Sequence, residues 1–248
     1  MYLNLSEKIF SFFHRLIEKT YHLPRLSKVI KNTSDFTNPI IFDVGGNEGE
    51  SIDFFLNLYK KPCIYSFEPE LKSYEKLIKK YENNKQINLF NLAFGDKTEE
   101  LKLKINVKSS TSSFSKINTK SKYFVLKKFI LSLNKNNTFL GEEKVMVEKI
   151  DNFFNKNSLT NINLLKIDTE GFELNLIKGA KETLLKTNII IIEFQLNDMY
   201  LNYNPHEIES FLKNNNFILV KSLKFPFMSY EDRVYVNKNY IKNGKKNI

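Results

Sequence analysis

Residues 39–44 form a short apolar run that stops against Asp43-Val44-Gly45-Gly46-Asn47-Glu48-Gly49, and a helical stretch follows over 51–59. A strand that runs straight into small residues and then a helix lets a ligand approach the backbone closely. Gly45 permits the tight turn, Gly49 lets the helix begin near the ligand, and Asp43 either holds the loop or reaches a ligand's ammonium group. The pattern reads acid-x-Gly-x-Asn-x-Gly, which is not the Gly-x-Gly-x-x-Gly of dinucleotide folds. An acid ahead of the loop would repel a pyrophosphate and suits a ligand with a cationic amino-acid end. Taken alone, the same residues could also be a purely structural turn.

The rest of the chain repeats the strand–helix rhythm. Apolar runs at 63–67, 87–92, 164–168 and 189–193 read as buried strands, and helical spacing appears at 71–81, 173–185 and 205–214, with Pro205 suited to a first turn. Such alternation implies a parallel sheet with helices on both faces. The runs 217–223 and 233–236 are too close together for an intervening helix, so they should pair antiparallel. The expected fold is therefore α/β and Rossmann-like: a doubly wound, mostly parallel seven-stranded sheet with a final antiparallel strand, the ending found in class I methyltransferases. Leu101, Leu103, Ile105 and Val107 alternate with polar residues and should pair with 144–147. Three parts are expected: an N-terminal helical segment (1–36) whose pattern closes at Pro24, a main domain (37–240) with a basic insertion (109–143), and a basic tail (241–248).

Further acids and amides fall at the strand ends. Glu68 follows the second strand nineteen residues after Gly49, where a carboxylate can accept both hydroxyls of a ribose. Asn91-Leu92-Ala93 ends the third strand, where an adenine would lie. Lys166-Ile167-Asp168-Thr169-Glu170-Gly171-Phe172-Glu173 follows the fourth, and Glu193 ends the fifth. Lys166 sits within an apolar strand and needs an anion, for which Asp168 and Glu193 are nearest. The acids converge on the carboxyl edge, where open α/β sheets bind ligands. A structural ion network is the alternative, and a divalent ion on Asp168 and Glu193 is left open. His14, His22 and His206 read as surface or capping residues, and Cys63 as a small strand hydrophobe.

The net charge of +10 is concentrated between Lys102 and Lys149, which holds eleven Lys against three acidic residues. A solvated face is the ordinary explanation; a lid over the site, with Lys116, Lys120, Lys122, Lys127 and Lys128 facing an anionic acceptor, is the sharper one. The helix at 3–20 could pack on the sheet, meet another subunit or touch a membrane surface. Glu7, Lys8, His14 and Arg15 interrupt any apolar core at the N-terminus, so no signal peptide is expected and the expected location is cytoplasmic.

At this point the residues resemble a known group. Ile41 through Gly49, Phe67-Glu68-Pro69, Asn91-Leu92-Ala93, Val147-Glu148-Lys149-Ile150-Asp151, Leu165 through Glu173 and Ile190 through Glu193 resemble the successive motifs of the FkbM-type methyltransferase family. The resemblance spans residues 40–195. It implies an S-adenosylmethionine-dependent O-methyltransferase of a kind associated with glycans, glycolipids and secondary metabolites. Donor binding then falls to Asp43, Gly45, Asn47, Gly49, Ser51, Glu68, Asn91 and Ala93, and catalysis to Asp168, Glu170 and Glu193, with Asp168 the base or metal ligand and Glu173 in support. Gly46 stands where the family often has Ala, a departure expected to be harmless, and the long basic insertion leaves the acceptor open. Two rivals are carried: a nicotinamide-dependent oxidoreductase, and a methyltransferase acting on RNA or another anionic substrate. Against RNA stands the lack of an Asn-Pro-Pro-Tyr type of base-reading signature.

Overall fold

The computed structural model describes residues 5–106, 109–130 and 139–242. The chain opens with α1 (Leu5–Ile17), a π-helical turn (Glu18–His22) and α2 (Leu23–Thr33). β1 (Ile40–Val44), α3 (Glu50–Leu58), β2 (Cys63–Phe67), α4 (Leu71–Tyr81) and β3 (Ile87–Phe90) then alternate. β4 (Ala93–Phe94), β5 (Glu99–Asn106), a 3-10 turn (Ser109–Thr111), α5 (Lys122–Ile130) and β6 (Phe139–Glu148) come next. The second half holds α6 (Ile150–Lys156), β7 (Ile162–Ile167), α7 (Glu173–Lys178), α8 (Lys181–Leu185) and β8 (Thr187–Gln195). α9 (Pro205–Asn214), β9 (Phe217–Lys224), β10 (Tyr230–Asn237) and α10 (Lys238–Lys242) complete it.

The main sheet runs β3-β2-β1-β7-β8-β10-β9, with β10 antiparallel to both its neighbours and the other pairings parallel. Side chains alternate across it, as strand geometry requires. Phe42, Phe67, Leu165, Ile167, Ile190 and Ile192 pack against α6, α7, α8 and α9 on one face. Ile41, Ile64, Leu164, Ile189 and Ile191 pack against α2, α3 and α4 on the other. Complete burial of each such side chain is worth about 1.5–3 kcal/mol. β5 does pair antiparallel with β6, Leu101 opposite Val145, but the two join β4 in a separate three-stranded sheet. Val107 lies outside the described residues, as does the tail from 243 onward.

Two expectations are corrected here. Pro24 does not end the N-terminal helix: it sits in the first turn of α2, where a missing N–H costs nothing. The preceding π turn widens the spacing, which takes up the clash a proline ring makes with the carbonyl four residues back. The single helix expected at 173–185 is two, α7 and α8. Asp151 breaks it by capping α8, its carboxylate accepting the backbone N–H of Glu182 and Thr183 at 3.2 and 2.8 Å and the Thr183 hydroxyl at 2.6 Å. Among the described residues no helix is long and apolar enough to cross a membrane.

Candidate active site

The parallel strands of one sheet end together, so β1, β2, β7 and β8 deliver their last residues to one edge. A cleft of about 600 Å³ opens there, a size that accepts a nucleoside-bearing ligand. Gly45 has φ +93, and a Cβ on it would lie 1.9 Å from the Asp168 carbonyl oxygen, so only glycine lets the first loop close on β7. The N–H groups of Gly45 and Gly46 both donate to the Phe67 carbonyl, at 2.9 and 3.1 Å. A Cβ on Gly46 would sit 2.3 Å from the Ser66 hydroxyl oxygen, so Gly46 leaves the space that Ser66 occupies.

Glu68 lines the cleft and is 7% exposed. Its Oε2 accepts the Asn47 N–H at 2.7 Å and its Oε1 the Glu70 N–H at 2.9 Å, tying the first loop to the end of β2. Burial pushes its carboxyl up to about 7, the charges of Glu70 and Asp43 adding to the shift and the two amide donors opposing it. Of the other expected donor-binding residues, Gly45, Asn47, Ser51 and Ala93 line the cleft, and Asp43, Gly49 and Asn91 do not. Asp43 is fully buried, its Oδ2 accepting the Ser66 hydroxyl at 2.9 Å. That bond joins β1 to β2. Burial raises the Asp43 pKa, with Lys166 opposing. The Gly49 carbonyl accepts the Tyr81 hydroxyl at 2.9 Å, and the Asn91 amide donates to the carbonyls of Glu68 and Pro69, both at 2.9 Å.

Asp168, Glu170 and Glu193 come together on the same cleft, each offering an oxygen within 4.8 Å of the others. Lys166 Nζ donates to Asp168 Oδ2 at 3.0 Å. Burial alone would lower the Lys166 pKa, but Asp168, Asp43 and Asp232 outweigh it and hold the ammonium charged. Burial, then the charges of Asp168 and Glu170, push Glu193 well up, while its Oε1 accepts the Gln195 amide at 2.6 Å. Glu170 takes a left-handed φ of +51, an unusual conformation that is enriched at working sites. The Tyr200 hydroxyl donates to its carboxylate. Glu173 is buried behind this loop, its Oε1 accepting the Thr169 N–H, the Thr169 hydroxyl and the Gly171 N–H, each at 3.1 Å. Three oxygen donors suit a hard divalent cation. Lys166 already supplies a counter-charge to one of them.

The basic insertion enters the site through its small and aromatic residues. Ser109, Ser112, Ser113, Phe114 and Tyr123 line the cleft. The Ser109 hydroxyl reaches Asn47 Oδ1 at 3.0 Å, and those of Ser113 and Ser115 donate to the carbonyls of Glu170 and Gly171 at 2.6 and 2.8 Å. Lys116, Lys120 and Lys122 are exposed and form no part of the cleft wall. The side chains of Lys127 and Lys128 lie outside the described residues.

Sequence reasoning missed the roof. His14, Glu18 and His22 reach the cleft from α1 and the π turn. His22 is 4% exposed and its Nε2 lies 2.8 Å from Asp232 Oδ2 on β10, while the His14 ring stacks on Phe225 at 4.6 Å. The signal was present as a polar stripe at positions 14, 18 and 22, one helical turn apart.

The profile described as "Methyltransferase FkbM domain" matches residues 43–219. The "2-O-methyltransferase NoeI" of Sinorhizobium fredii (strain NBRC 101917 / NGR234) is 25% identical over 198 residues, covering 80% of each chain. Among solved structures, the magnesium protoporphyrin IX methyltransferase (ChlM) of Synechocystis PCC 6803 with bound SAM superposes with a TM-score of 0.51 at 10% identity, over 96% of this chain and 86% of that one. That likeness concerns the fold.

Proposed function

Because the chain belongs to the methyltransferase FkbM domain family and is a methyltransferase, we propose that it moves a methyl group from S-adenosylmethionine to a hydroxyl of a sugar or glycan. One observation carries the reading: a glycine loop clamped by a buried carboxylate faces a three-carboxylate cluster across one cleft. Asparagine and glycine backbone in that loop, with Glu68 beside it, forms a cradle for a nucleoside, and the acidic cleft suits a cation. When bound, S-adenosylmethionine supplies a methyl group on a sulfonium whose sulfur leaves as a neutral thioether.

The protein's own part is orientation and proton removal. Gly45, Asn47, Ser51 and Glu68 hold the donor's position, with Leu92 and Ala93 as the apolar floor. Asp168 receives the proton released from the acceptor hydroxyl as its oxygen bonds to carbon. Lys166, bonded to Asp168, fixes the position of that carboxylate, and Glu170 and Glu193 shape the local field. Positioning supplies much of such an acceleration and base assistance roughly 10²–10⁴-fold. The NoeI name, a 2-O-methyltransferase, supports oxygen as the acceptor atom. Family membership displaces the nicotinamide-dependent oxidoreductase.

The test is calorimetry with S-adenosylhomocysteine, followed by transfer of labelled methyl to a panel of saccharides and RNA. Micromolar binding, on the order of −8 kcal/mol, and label on a saccharide oxygen are expected. No S-adenosyl binding would remove the donor assignment, and label confined to RNA would replace the acceptor.

A further inference from the structure

An amphipathic helix of a globular protein ordinarily turns its apolar face inward and its polar face to water. α1 leaves much of its apolar face uncovered. Phe10, Ser11, His14, Arg15 and the adjoining Glu18 line the cleft, whereas Ile9, Phe12, Phe13 and Leu16, spaced i, i+3, i+4, i+7, are exposed by 48, 64, 54 and 44%. α5 packs beside α1 and exposes Val125 and Leu126. At the β9–β10 hairpin, Phe225 stacks on His14, and two residues on Phe227 is 95% exposed with φ +63. Exposed apolar surface gathered on neighbouring elements marks an interaction face rather than scattered surface residues.

From this arrangement we propose that α1, with α5 and the hairpin tip, docks the protein on an anionic lipid bilayer. The charge around the apolar strip selects that occupant. Lys19, directly after α1, and Lys120 and Lys122, at the start of the α5 segment that packs on α1, are exposed, and cations near a Phe- and Leu-bearing helix face match anionic headgroups. A second copy meeting the same face would set these lysines against one another. Docked this way, the helix whose inner face roofs the cleft lies in the headgroup layer, so the cleft sits at the interface. The inference goes beyond the methyl-transfer reading and does not depend on it.

Flotation of the full chain with vesicles tests it. Recovery is expected with equimolar phosphatidylcholine–phosphatidylglycerol vesicles and not with phosphatidylcholine alone, and it should fall about tenfold in Phe12→Ser/Phe13→Ser and in Lys120→Glu/Lys122→Glu. Calorimetry with S-adenosylhomocysteine checks the variants' fold and is expected to match the parent. Because Phe12 and Phe13 do not line the cleft, loss of donor binding in the parent would strike the methyl-transfer reading and leave docking standing. Docking is overturned if the parent does not float with anionic vesicles, or if the Phe variant floats as the parent does. It is equally overturned if light scattering shows a dimer that the Phe variant splits while vesicles go unbound.

Discussion

The Asp168 carbonyl oxygen occupies the place where a side chain on Gly45 would begin, 1.9 Å from an added Cβ. The loop proposed to cradle the donor and the residue proposed to take the proton are thereby fixed to one another through backbone alone. Gly45→Ala should destabilise the fold by more than roughly 2 kcal/mol, the left-handed φ and the contact acting together. Thermal unfolding and donor calorimetry should both register it. A variant that melts and binds as the parent does would show that the loop has room to shift.

Gly46→Ala should displace the Ser66 hydroxyl from Asp43 and cost about 1–2 kcal/mol. Adding Ser66→Ala frees the space, so the double variant should recover part of the loss. An equally unstable double variant would place the cause elsewhere.

Glu68→Ala removes the acceptor of the Asn47 and Glu70 N–H groups and should weaken donor binding by about 1.5–3 kcal/mol. Calorimetry decides it, and unchanged affinity would leave Glu68 only a brace between loop and strand.

Asp168→Asn should lower turnover roughly 10²–10⁴-fold and leave donor affinity nearly unchanged. Near-normal turnover would reduce Asp168 to a structural partner of Lys166. A Mg²⁺-reversible loss of turnover in chelator would instead assign the acidic cluster to a metal.

Glu173 carries a pH dependence of stability. Burial raises its carboxyl from 4.5 to about 7 in the folded protein, so folding favours the protonated form. Its contribution is complete below the unfolded value and is lost as pH rises through about 7. Glu173→Gln keeps an oxygen for Thr169 and Gly171 but cannot ionise. Denaturant unfolding at pH 5 and pH 8 should show a smaller difference for this variant than for the parent, by up to about 3 kcal/mol. Equal differences would show that water reaches the ionised group.

How legible the protein was depended on whether a feature was local. Cys63–Phe67, Leu71–Tyr81 and Pro205–Asn214 coincide with the elements read from sequence, because continuous apolar strands, helical spacing and a first-turn proline are local signals. The three-carboxylate cluster was legible because strand ends meet at one edge whatever the details of packing. The break before α8 was not, since it depends on Asp151, more than thirty positions away. Lys116, Lys120 and Lys122 are exposed, as the ordinary reading of a charge run as a solvated face has it. The roof was hidden by Pro24, whose usual helix-ending effect the π turn removes.

The reversed direction of β10 has a consequence for assembly. Parallel strands present their last residues to the cleft, but β10 presents its first, so Asp232 meets His22 across 210 positions of sequence. That contact cannot exist until β10 has been synthesised and inserted between β8 and β9. During translation the first glycine loop and the acidic cluster can therefore form beneath an unlatched roof. Enclosure of the cleft reports that the sheet has been completed.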